Sequence, residues 1–443
     1  MKTNAANIQI IEALKYFIEY AQEHKTVFCS SEKVFTRNRQ LPFPKLVLMI
    51  INLNKRTLSV ELENFFKVIE EREKCCGKSA FCKQRQHLKY EFFWAWNQML
   101  VKSFYQFYGD NIKRWKGYRI IAVDGSTEYL INEREVIDYF GVQPNQSTAI
   151  SMGRVMNRFD VLNGISLDQR LLPIRHSEQE VAMSWVEQIE EDMIHLYDRG
   201  YPSFASFWLH SKGYEKVKHA VWRCRKNFNK QIAAFVKSKK QSKIITLRPT
   251  EEAIEQLHKM GYKLSEHDKV QIRLIKVKLS SGETEVLATT LLDKQKFPCG
   301  VFKELYEMRW GIETEYGAWK NIYQLEQFSG RKVETILQDF FATAFIANLH
   351  QLIMKDGDEV VTEVNGRREL DYKINRNVTC GLLKNEVVKL FLSEQPHIIL
   401  EHLKKLFCKY LEPVRKERHY PRRKKYKRLK GKYQTLTNYK RVA

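Results

Sequence analysis

The sequence contains no CxxC pair with histidines at zinc-finger spacing and no GxxxxGK[ST] loop, so neither a zinc finger nor a nucleoside-triphosphate cradle is expected. Its principal apolar run, LVLMIINL at 46–53, is far short of the roughly 20 residues that span a bilayer. The opening MKTNAANIQIIEALKYF carries charges where a secretory signal needs an apolar block, and the expected location is the cytosol. Eight cysteines are scattered along the chain, which reads as reduced, mostly structural thiols; the CC-x5-C cluster at 75–82 matches no common zinc spacing. No internal repeat is evident.

What is present is positive charge. The 443 residues carry 75 Lys or Arg against 52 Asp or Glu, a formal net charge of +23. That excess exceeds what solubility requires and points to a polyanionic partner. Residues 414–443 alone hold 13 Lys or Arg and one acid. This tail, with Arg422, Arg423, Lys424 and Lys425 at its centre, is either a solubilising extension or a phosphate-binding segment that gains by releasing counterions.

The hydrophobic pattern divides the chain. Residues 1–110 read as helices throughout: IQIIEALKYFIEYAQEH, PFPKLVLMIINL, LSVELENFFKVIEE with Thr57 as a cap, and one long helix from Ser79. Lys83 and Arg85, early in that last helix, are expected on its surface, as DNA contacts of a helix-turn-helix-like region or as part of a plain bundle. From 111 to 204 strands appear: YRIIAVDGST ending on Asp124, two more around VLNG, a helix EQEVAMSWVEQIEED, and MIHLYDRGYPS carrying Asp198. Residues 205–298 read as basic and mostly β, with VQIRLIKVKL and EVLATTLL joined across SSGET. Segments 299–355 and 356–413 are helical again, followed by the basic tail 414–443.

The stretch YEMRWGIETEYGAWK at 306–320 reads as one helix. At about 100° per residue, Tyr306, Arg309, Glu313 and Lys320 share a narrow stripe along the rim of an apolar face formed by Leu305, Met308, Ile312, Tyr316, Trp319 and Tyr323. Arg309 and Glu313 are also an ordinary i,i+4 pair. Asp124 and Asp198 each stand at the end of an apolar strand, where a carboxylate needs a partner; each also suits a simple Asx turn. With Glu313 they offer oxygen ligands suited to Mg²⁺ or Mn²⁺, and two such ions about 3.5–4 Å apart promote phosphodiester cleavage. In that arrangement Arg309 and Tyr306 grip a phosphate, Lys320, about 10 Å further along the axis, meets a neighbouring one, and Trp310 either stacks on an unpaired base or packs in the core.

These residues resemble a known family, the DDE-class transposases of bacterial insertion sequences, specifically insertion-sequence family four. Its mark is Tyr, two residues, Arg, three residues, Glu, six residues, Lys, and Tyr306, Arg309, Glu313 and Lys320 have that spacing. VDGST at 123–127 is similar to the family's first-aspartate segment and YDRGYPS at 197–203 to its second. LEQFSG at 325–330 and SAFCKQR at 79–85 extend the likeness over roughly 40–430. The resemblance implies an α/β fold: an RNase H-like core (111–204 and 299–355) interrupted by a mostly β insertion domain (205–298), with helical N- and C-terminal regions. It implies Asp124, Asp198 and Glu313 as catalytic metal ligands for two Mg²⁺, or Mn²⁺, with no nucleotide cofactor. It further implies cut-and-paste movement by a homodimer acting on terminal inverted repeats and target DNA through a hairpin intermediate, at the bacterial nucleoid. A nuclease of the same core that does not join strands, and an inactive DNA-binding repressor, are the competing readings.

Overall fold

Strands buried on both faces organise the first of two units. The structure, a computed structural model, describes residues 3–36, 40–143, 150–279 and 282–414; Arg422, Arg423, Lys424 and Lys425 lie outside the described residues. The sheet unit comprises Asn111–Tyr129 and Ile137–Gly317. Its strands are β1 (Arg119–Tyr129), β2 (Met152–Asp160), β3 (Ile165–Pro173), β4 (Met193–Tyr197), β5 (Ala220–Cys224), β6 (Ser242–Leu247), β7 (Val270–Lys278) and β8 (Thr284–Thr289). They form one sheet in the order β3-β2-β1-β4-β5-β8-β7-β6. The central β1, β4 and β5 are parallel, and such strands need cover on both faces. On one face Val123, Tyr197 and Trp222 pack with Trp185, Phe207, Ile232 and Phe235. On the other, Ile120, Ile194, Leu196 and Val221 pack with Phe302 and Leu305 of the helix Val301–Glu307.

Two expectations change here. Asp124 does not end its strand: β1 continues to Tyr129 because β2 stays paired with it in antiparallel register, Asp124 opposite Asn157. The stretch 205–298 is not mostly β either. Its strands extend the same sheet, and the helices Phe204–Lys212, Lys230–Lys237 and Glu251–Lys259 lie among them.

The helical unit comprises the described parts of Met1–Asp110, Leu130–Val136 and Ala318–Ala443. The helix Val333–Lys355 is buried almost all round, which makes it the axis of this unit. Trp96 of the helix Glu91–Tyr108 stacks on its Phe345 at 3.9 Å and donates its indole N–H to the Leu14 carbonyl at 3.0 Å. Among the described residues no helix is long and apolar enough to cross a membrane.

The long helix expected from Ser79 is two helices, Lys78–Arg85 and Glu91–Tyr108. Tertiary contacts impose the break: Gln338 donates to the Leu88 carbonyl at 2.6 Å, and the Tyr90 N–H donates to Glu334 at 2.5 Å. Arg85 consequently turns inward. Its guanidinium donates to Gln338 (2.5 Å), Ser329 Oγ (2.6 Å), the Thr335 carbonyl (2.9 Å) and Asp339 (2.8 Å), and only 2% of the residue is exposed. The expected DNA contact of Arg85 is therefore corrected to a buried ion pair, while Lys83 remains exposed. Breaking such a pair from one side leaves a buried charge uncompensated. Arg85→Ala is expected to lose about 3–5 kcal/mol of stability, measured by denaturant unfolding, with the salt dependence of DNA binding unchanged.

Candidate active site

The strand register builds the site. Parallel pairing of β1 with β4 ends at Val123 opposite Tyr197, so Asp124 and Asp198 are the next residues on neighbouring strands. They stand side by side where the parallel pairing stops, at the carboxyl end of β4 and midway along β1, the edge at which open α/β sheets carry their sites. Asp124 is not a turn former, whereas Asp198 opens a turn, its carbonyl accepting the Tyr201 N–H at 3.1 Å. Asp124 accepts its neighbour's Gly125 N–H, at 2.9 Å, within an unbroken strand.

Burial pushes the Asp124 carboxyl up to about 6; the Gly125 N–H and Arg309 oppose that rise, and Glu178 and Asp198 add to it. A carboxylate short of positive partners is the environment a bound cation relieves. Asp198 is bracketed by Tyr306, whose hydroxyl donates to it at 3.4 Å and to the Tyr197 carbonyl at 3.3 Å, and by Arg223 at 3.7 Å. Arg223 also pairs with Glu285 of β8.

Glu313 arrives from a helix, and the expected single helix over 306–320 is corrected to two. Val301–Glu307 and Trp310–Asn321 flank a tight turn at Met308–Arg309, where Gly311 and Ile312 bond three residues back, to Met308 and Arg309, at 3.0 and 3.2 Å. Tyr306 and Arg309 are 5% and 2% exposed. They lie inside the site rather than on its rim. The Arg309 guanidinium sits 2.8 Å from Glu313 and 3.7 Å from Asp124. Among the described residues, two of its buried nitrogens, Nε and Nη1, find no hydrogen-bond acceptor. Tyr306, Glu313 and Asp198 hold its pKa up against the burial that would lower it. From the same helix, the Tyr316 hydroxyl donates to the Asp124 carbonyl at 2.8 Å.

Among the described residues no three His, Cys, Asp or Glu side chains are gathered closely enough to hold a metal ion. The donor set nevertheless fits a hard divalent cation: Asp124 and Asp198 offer adjacent carboxylate oxygens of the kind such ions take, and Arg309 supplies the positive charge between Asp124 and Glu313. Trp310 is exposed rather than in the core, with Arg309 5.1 Å over its ring. Lys320 is half-buried and falls in the helical unit.

Sequence reasoning missed Arg223, Tyr316, Tyr201 and Glu178. Arg223 was within reach, because a charge inside the apolar run AVWRC demands a partner. It also missed a groove of about 1060 Å³ in the sheet unit, lined by Lys212, Lys230, Arg248 and Lys269 and by no carboxylate.

Residues 140–349 match the family described as the transposase DDE domain, a span that includes Asp198 and Glu313 and begins after Asp124. The chain is also similar to the transposase InsG for insertion sequence element IS4 of Escherichia coli (strain K12), 26% identical over 178 residues. The family match and this relative both liken the chain to transposases of insertion sequences. The alignment with that transposase covers 40% of this chain and 38% of the relative. Among solved structures, a piggyBac transposase synaptic complex with hairpin DNA overlaps 90% of this chain and 84% of its own at 8% identity, with a TM-score of 0.44, too loose to carry an argument.

Proposed function

We propose that this protein is a transposase that excises and inserts a DNA element by metal-dependent phosphodiester cleavage and strand transfer at terminal inverted repeats. The observation that carries the reading is the register that sets Asp124 beside Asp198, with Arg309 linking Asp124 to Glu313. The order β3-β2-β1-β4-β5 supports an RNase H-like core, with β6–β8 and their helices as the inserted part before the Glu313 helix. Residues 1–110 and 356–413 are then the flanking helical regions.

Asp124 and Asp198 would hold the divalent ions, two Mg²⁺ or Mn²⁺, with Glu313 joining them on exchanging its Arg309 partner. Bound ions of this kind lower the pKa of water and stabilise the leaving oxygen. Tyr306 and Arg223 fix Asp198, Tyr316 fixes the Asp124 backbone, and Arg309 balances the acids. In the first step a water oxygen bonds to phosphorus and the 3′-oxygen leaves with a proton. The freed 3′-hydroxyl then attacks the opposite strand, closing a hairpin on the element and releasing the flank.

DNA would be held by Lys83, Lys320, the exposed Trp310, the basic groove and the tail around Arg422, Arg423, Lys424 and Lys425. A homodimer would bring two element ends together at the nucleoid. The test is a linear DNA carrying the element's own ends, incubated with protein and Mg²⁺ and resolved on a denaturing gel. Hairpins and joined products are expected; nicks alone would favour a nuclease, and bound, uncut DNA a repressor. In parallel, replacing Lys230 and Arg248 with alanine is expected to flatten the slope of log affinity against log salt by about 0.9 for each phosphate that is no longer neutralised, with unchanged melting. A slope equal to the parent's would remove the groove from the DNA path.

A further inference from the structure

Gly125, the residue after the first aspartate, has a backbone any residue adopts, yet a Cβ there would lie 2.6 Å from the Glu178 carboxyl carbon and 2.9 Å from both its oxygens. Glycine at this position is thus a matter of space, and Glu178 takes the space. Glu178 is not free to swing away. It opens the helix Glu178–Ser184, pairs with Arg154 of β2, and accepts the Tyr201 hydroxyl at 3.2 Å. Arg154 is anchored in turn on the Ile174 carbonyl at 3.3 Å. Tyr201 is 3% exposed, and its backbone N–H donates to the Asp198 carbonyl at 3.1 Å. One carboxylate therefore presses on the strand carrying Asp124 and is tied, through Tyr201, to the turn carrying Asp198.

We infer that Glu178 is a positioning residue for the two-aspartate site, setting the spacing of Asp124 and Asp198 and hence their affinity for a divalent cation. The inference rests on the transposase reading for its chemistry, but its test reads metal binding directly. Mn²⁺ binding to the full chain without DNA is measured by calorimetry for the parent, Glu178→Gln, Tyr201→Phe and the double variant, with thermal melting alongside. Glu178→Gln is expected to bind Mn²⁺ at least tenfold more weakly, Tyr201→Phe to act in the same direction, and the double variant to be no worse than Glu178→Gln, because both cut one link. The Mg²⁺ concentration for half-maximal nicking is expected to rise in step.

Gly125→Ala supplies a second arm. It is expected to weaken Mn²⁺ binding in the parent, and Glu178→Ala in the same chain to restore part of the loss by clearing the clash. Lower melting with parental Mn²⁺ affinity would reduce Glu178 to a structural ion pair and overturn the inference. A parent that binds no Mn²⁺ and cuts no DNA would instead overturn the transposase reading itself.

Discussion

Asp124→Asn is expected to lower nicking of element-end DNA by roughly 10²–10³-fold or more, the scale on which loss of one charge-stabilising group acts in a closed site, and at the same time to stabilise the metal-free protein at alkaline pH. The second effect follows from burial. The folded-state pKa of Asp124 is pushed up to about 6, above its unfolded value, so its favourable contribution is complete at low pH and is lost as pH rises through 6. Asparagine removes the charge that burial penalises. A shift of this size is worth about 3 kcal/mol, so the variant should melt close to the parent at pH 4 and above it at pH 8 without divalent ions. Added Mn²⁺ should close the gap by stabilising only the parent. A variant that melts below the parent at both pH values would mean that Asp124 serves the fold rather than an ion. By the same sign, nicking by the parent should fall as pH drops below about 6.

Arg309→Ala carries the other large effect. Arg309 is almost wholly buried and faces Asp124 and the half-exposed Glu313, and leaving the more buried acid without its partner costs about 1–3 kcal/mol. The loss should appear as a lower unfolding midpoint in metal-free buffer. Mn²⁺ should recover part of it, since an ion among the acids supplies the charge the guanidinium supplied. Arg309→Lys should recover less than half, because an ammonium lacks the planar fork that reaches two acids at once. An unchanged midpoint with DNA affinity alone reduced would make Arg309 a surface phosphate contact, as a straight-helix reading of the sequence has it.

That contrast shows what the sequence made legible. Asp124 and Asp198 were readable because each follows an apolar run too short to be anything but a strand, and a carboxylate there needs a reason. Their adjacency was not, since it depends on β1 and β4 pairing in one register across some 70 intervening residues. The stripe of Tyr306, Arg309 and Glu313 was readable as a spacing, but its burial was not. A fixed 100° per residue assumes one straight helix, and the turn at Met308–Arg309 breaks that assumption. Arg85 misled in the same way, because nothing local announces the break before Glu91; Gln338 and Glu334, some 250 residues on, make it. The run EQEVAMSWVEQIEED did announce a helix, yet its acids look alike in sequence. Only the missing Cβ of Gly125 singles out Glu178. The strands after 205 were recognised by their alternation, whereas their membership of the same sheet follows from β5 pairing with β8, a contact no local pattern encodes.

The central claim is that Asp124, Asp198 and Glu313 serve one divalent-ion site that cuts DNA. The most direct measurement is the rate of Mg²⁺-dependent nicking at element ends for the parent, Asp124→Asn, Asp198→Asn and Glu313→Gln, with binding of the same DNA measured on each protein. The account predicts that all three variants bind as the parent does and fail to cut. Cutting at the parental rate by any one of them, or loss of binding in all three, would contradict it.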